Sequence, residues 1–139
     1  MYSGAETPLV PCATSLSTMA ETTGKVTTIM HDTNDLAGAV SFWTQLLNLS
    51  VVHQEGNYAY LSPFSEGGPH LAFQEVPEPR PAKNRLHMDI GVSDRDAFED
   101  RVAALGGEVL HDHQEGSFPA WTVMADPEGN EFCVYQIST

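Results

Sequence analysis

Positive charge is scarce in this chain: 6 Lys+Arg stand against 19 Asp+Glu, a formal net charge of −13. A field of that sign repels phosphate backbones and anionic lipid surfaces across the screening length, so neither nucleic acid nor a membrane is an expected partner. It would draw in a cationic ligand, although acidic surfaces also serve plain solubility. Long apolar runs are missing as well, since no stretch approaches the ~20 residues that span a bilayer. Cysteine is nearly absent. Cys12 and Cys133 belong to no CxxC and no spaced ladder, so a disulfide framework is not expected, and Cys133 reads first as a small buried hydrophobe. The beginning of the chain lacks the basic start and apolar stretch of a secretory signal, which makes the cytoplasm the expected location.

The 139 residues suffice for one domain with one core. Residues 1–24, rich in Thr, Ser, Ala and Pro without a period, read as a flexible tail, and the domain proper as 25–139. Val26 to His31 reads as a strand. Asn34 is the expected cap of a helix whose Leu36, Val40, Trp43 and Leu47 share one face, with Asn48 suited to a left-handed C-terminal cap. Val51 to Gln54 and Tyr58 to Leu61 form a hairpin around Gly56-Asn57. Leu71 to Val76 follows after a Gly/Pro-rich loop. Pro77, Pro79 and Pro81 deny the backbone helix geometry and ladder donors, so residues 77–85 are an extended linker.

The pattern then repeats. Leu86 to Val92 is a strand, Ser93 with Asp96 approximates a capping box, and Phe98, Val102 and Leu105 make a helical stripe stopped by Gly106-Gly107. Glu108 to His113, Ala120 to Ala125 and Glu131 to Gln136 supply three strands, the last two joined by the turn Asp126-Pro127-Glu128-Gly129. Two βαβββ modules, 25–76 and 86–137, define an α+β chain. Each curved sheet buries one face under its helix, and the other faces are expected to form a cup around a small organic molecule.

The segments Asp35-Leu36 to Leu46-Leu47, His87-Met88-Asp89-Ile90-Gly91-Val92-Ser93-Asp94 and Asp126-Pro127-Glu128-Gly129-Asn130-Glu131-Phe132 resemble the vicinal oxygen chelate superfamily. More narrowly, they resemble its glyoxalase-like and bleomycin resistance protein-like branch. The resemblance spans residues 26–136 and implies the glyoxalase/bleomycin resistance/dioxygenase fold. It leaves activity open among metal-dependent lyases, epimerases, dioxygenases, thiol transferases and metal-free antibiotic binders. Together with exposed sheet edges it favours a homodimer.

Metal-using members of that superfamily take ligands from the first and last strand of each module. The four matching positions here are Thr28, Ala72, His87 and Cys133, of which His87 alone is an expected ligand type. A slip to Thr27 is no better, and Gln74 is a weak ligand at most. One His with a possible thiolate falls short of three protein ligands, so no metal and no cofactor are expected.

His87 and Asp89, two apart on a strand, share the face opposite Met88, Ile90 and Val92. A carboxylate beside an imidazole can orient it as a general base or acid; equally, the two can merely satisfy each other in a binding site. Trp121, Tyr135 and Tyr60 offer flat walls to an aromatic or polycyclic natural product, with Gln74 and His70 as hydrogen-bonding groups and Thr28 and Cys133 as lining. His111 and His113 share a face but read as an exposed strand. Two functions follow as expectations: a metal-independent lyase or isomerase using His87 and Asp89, or a non-catalytic protein that sequesters an antibiotic for self-resistance.

Overall fold

Strand β1 (Thr28–Thr33) leads into helix α1 (Leu36–Leu47), followed by β2 (Val51–Glu55), β3 (Tyr58–Pro63) and β4 (His70–Glu75). After the linker come β5 (Asp89–Val92), α2 (Arg95–Ala104), β6 (Glu108–His113), β7 (Trp121–Ala125) and β8 (Glu131–Gln136). This computed structural model describes residues 24–84 and 86–137. The expected tail lies outside those residues except for Gly24, and Cys12 lies outside them too.

The βαβββ order occurs twice, as the sequence predicts. Each half is a four-stranded sheet with one helix, in the order β1-β4-β3-β2 and β5-β8-β7-β6. In both, the first strand runs parallel to the last while the remaining pairs are antiparallel. The sheets stay unclosed, so β1, β2, β5 and β6 are edges.

The helix starts differ from expectation by one residue each. Asp35, not Asn34, caps α1, its carboxylate accepting the Gly38 N–H at 3.0 Å. Asn34 instead donates from Nδ2 to the Val76 and Glu78 carbonyls, pinning the linker to the helix start. Asp94, not Ser93, caps α2 by accepting the Ala97 N–H at 3.0 Å. In each case the acid reaches the orphan donor three residues on. Asn48 does adopt the left-handed conformation, with φ 56° and ψ 51°.

A single core joins the modules. Leu36, Phe42, Trp43, Leu61, Leu71 and Phe73 of the first half pack with Val102, Met124, Phe132 and Val134 of the second. Trp43 and Phe132 meet at 5.0 Å between ring centroids with planes at 65°, so α1 is seated on β8 as well as on its own sheet. The turn after β7 reaches back: Glu128 accepts from the Thr33 hydroxyl and the Asn34 N–H, both at 2.8 Å. Asp126, buried, accepts the Trp43 indole N–H at 3.4 Å. Glu128→Ala removes two charge-assisted bonds between the halves and should lower stability by about 1–3 kcal/mol, read as a reduced urea midpoint with an unchanged slope.

Candidate functional site

Strand register decides which side chains share an open face. In the second sheet Asp89 pairs with Cys133, Gly91 and Trp121 with Tyr135, Val123 with Cys133, and His113 with Trp121. These residues therefore point one way, while Ile90, Val92, Phe132 and Val134 point into the core. Strand β5 begins at Asp89, later than the sequence predicts, but the Cys133 N–H still bonds the Met88 carbonyl at 2.9 Å. That bond extends the pairing back to Met88, next to His87. Gly91 opens the face for Tyr135, since a Cβ there would lie 3.1 Å from the phenol oxygen.

The result is a hollow of about 620 Å³ on the second sheet. Trp121, Tyr135, Val123, Phe118 and Pro119 give it apolar walls, and His87, Asp89 and Cys133 sit on one side. His87 Nε2 lies 3.4 Å from Asp89 Oδ1, and both side chains are open to solvent, at 45% and 66% relative exposure. The His113 ring leans on Trp121 with centroids 4.7 Å apart, and its Nε2 is 3.6 Å from Glu115. Lys83 of the linker pairs with Glu131 at the rim. Burial first, then the Asp89 carboxylate, push the Cys133 thiol above its ordinary range; Lys83 opposes them and Glu131 adds to them.

Five of the nine expected site residues, His87, Asp89, Trp121, Cys133 and Tyr135, thus line one hollow. The other four do not join them. Tyr60 and His70 line a separate hollow of about 720 Å³ on the first sheet, with Val52, His53, Glu55 and Tyr58. His70 Nδ1 donates to the Leu61 carbonyl at 2.7 Å, which leaves Nε2 as its free ring nitrogen. Thr28 is in register with His70, and Gln74 with Asp32 and Tyr58, on the same face but outside that lining. The two hollows lie on the open faces of the two sheets, one on each. A further crevice of about 740 Å³ runs between β1 and the linker, but Asn34 and Glu128 in its wall are committed to structural bonds.

Sequence reasoning set His53 aside and read His113 as part of an exposed strand, which β6 is, but it did not register that the two share a repeated motif. His-Gln-Glu-Gly occurs at 53–56 and again at 113–116. Both glycines have φ 57°. In both copies the His faces the Glu two residues on, at 3.2 and 3.6 Å, and leans on an aromatic ring of the neighbouring strand, Tyr60 or Trp121. The repeat places one such arm over each hollow.

The superfamily's two-module metal site does not fit these residues. At its first-module positions Thr28 carries only a hydroxyl and Ala72 is fully buried with no donor. In the second module, however, ligand atoms of His87, Asp89 and Cys133 all lie within 4.8 Å of one another. Asp89, which is not one of the four superfamily ligand positions, adds a third potential donor on this face.

Two βαβββ modules, each a four-stranded mixed sheet with one helix, make the fold of the vicinal oxygen chelate superfamily. The chain belongs to the glyoxalase-like domain family, whose sequence profile matches residues 28–135. It is similar in structure to a glyoxalase-related enzyme from Fulvimarina pelagi, at TM-score 0.66 and 16% identity, covering 81% of this chain and 88% of that one. It is also similar to lactoylglutathione lyase from Agrobacterium tumefaciens, at 0.60 and 19%, covering 82% and 94%. TioX from Micromonospora sp. ML1 aligns at 0.55 and 18%, covering 81% and 98%. No curated protein matches the sequence. Among the described residues no helix is long and apolar enough to cross a membrane.

Proposed function

We propose that the chain binds a small organic molecule with a flat aromatic part in the hollow of the second sheet and shifts a proton on it through His87 and Asp89. That is lyase or isomerase chemistry carried by side chains alone. The observation that carries this reading is the placement of the His87–Asp89 pair, 3.4 Å apart, in the lining that also holds Trp121 and Tyr135. Asp89, 3.4 Å from the imidazole, is close enough to orient it, and the exposure of both side chains lets the ring exchange protons with solvent over repeated cycles.

A second reading is favoured by the openness of the pair and by the net charge of −13: the same hollow sequesters a cationic antibiotic without changing it. Two exposed edge strands, β2 and β6, with Val51, Val52, Val109 and Leu110 uncovered, support a homodimer in either case.

Native mass spectrometry of protein purified from its own host, followed by return of the released compound to fresh protein, tests both. Conversion of many equivalents supports the enzyme, while one equivalent held unchanged per chain supports sequestration. A compound whose affinity is unaltered in Trp121→Ala would place the ligand elsewhere and overturn both.

A further inference from the structure

The duplicated His-Gln-Glu-Gly arm takes no part in the proton transfer ascribed to His87 and Asp89, and its first copy stands over the hollow of the other sheet. His53 is paired with Tyr60 across β2 and β3, as His113 is with Trp121 across β6 and β7. Each imidazole therefore lies beside a flat ring and faces a carboxylate, at 3.2 Å for Glu55 and 3.6 Å for Glu115. Gly56 and Gly116, both at φ 57°, turn the chain beyond that carboxylate in a conformation that favours glycine. An arm built twice from the same residues in the same conformation suits the same kind of group twice.

Charge and ring chemistry identify that group. Among the described residues lining the first-sheet hollow, Glu55 alone carries a formal charge when the histidines are neutral, and Tyr58 and Tyr60 supply two phenol rings. A carboxylate beside the electron-rich faces of aromatic rings attracts a cation, most strongly a planar one that lies on a ring while its N–H groups reach the carboxylate. His70 adds an acceptor, since its Nδ1 donates to the Leu61 carbonyl and Nε2 stays free. The net charge of −13 draws in the same sign from a distance. We propose that the first-sheet hollow is a second ligand site, specific for a planar organic cation of the amidinium or guanidinium type, with the Glu55 carboxylate and the Tyr60 ring as its recognition pair. Glu115 and Trp121 offer the same group a matching place at the second-sheet hollow, so one chain takes up two equivalents. Neither place depends on proton transfer by His87.

Titration of the full-length protein with benzamidine, a flat aromatic cation, tests this, with neutral benzamide as a control of the same shape. Ring-proton NMR shifts of Tyr58, Tyr60 and His70 report the first hollow, and those of Trp121 and His113 the second. Benzamidine should shift both sets to saturation, and benzamide should bind each at least about tenfold more weakly. The Glu55 side chain is 82% exposed, so Glu55→Gln should leave folding intact; it should weaken the first response about tenfold and leave the second unchanged. Glu115→Gln should do the reverse. Equal binding of benzamide overturns the cationic class. Shifts confined to Trp121 and His113, or first-hollow shifts that Glu55→Gln does not weaken, overturn the second site and leave the His87–Asp89 reading untouched. A response confined to the first hollow upholds that site and removes the matching role of the second arm.

Discussion

Replacing Trp43 by alanine should lower the stability of the chain by about 3–5 kcal/mol, the range for removing a large buried aromatic. The side chain is 1% exposed and makes edge contacts with Phe42 at 5.1 Å and Phe132 at 5.0 Å. It also bridges the modules through its indole N–H to Asp126, a buried carboxylate otherwise served by the Glu128 and Asn130 N–H groups and the Asn130 amide. Truncation therefore leaves a cavity between the sheets and removes one partner from a buried charge. Urea unfolding checks it, with Trp121→Ala as the contrast, since Trp121 is only partly covered and lines the open hollow. A loss below about 1 kcal/mol for Trp43→Ala would mean that the halves do not share a core.

His87→Ala should reduce turnover of the natural compound by about 10²–10⁴-fold, the usual contribution of a positioned acid or base. Asp89→Asn should reduce it less, because the amide still orients the ring while the charge is lost. Both side chains are substantially solvent-exposed, so neither change should move the unfolding midpoint appreciably. Binding measured alongside turnover separates the roles. Retained affinity with lost turnover fits proton transfer, whereas unchanged turnover removes His87 from the chemistry and leaves the sequestering reading.

The order of elements and the faces of the helices were legible because apolar spacing is a local property: Leu36, Trp43, Val102 and Phe132 all lie in the core, as their periods require. Helix caps were misplaced by one residue because Asn34-Asp35 and Ser93-Asp94 each offer two competent capping side chains. Only the chain's path past Glu75, Val76 and Gln136 decides which one is free to cap; Asn34 is drawn to the linker and Asp35 left to the helix. The site was legible within a module, where strand alternation brings His87, Asp89, Cys133 and Tyr135 to one face. Between modules it was not, because no periodicity encodes how two sheets are turned relative to one another. Tyr60, His70, Gln74 and Thr28 were grouped with the His–Asp pair for that reason, yet lie on the other sheet.

Helix α1 begins under Glu128 of the second half and ends with its aromatic face against Phe132. The repeat is thus doubled in sequence but not in autonomy. A half released at the linker would expose the apolar surface its twin normally covers, so inheritance of the two copies is bound together. The open faces are free to differ, and among the described residues the first sheet holds no counterpart of the His87–Asp89–Cys133 cluster, whereas loss of either copy would remove part of the core of both.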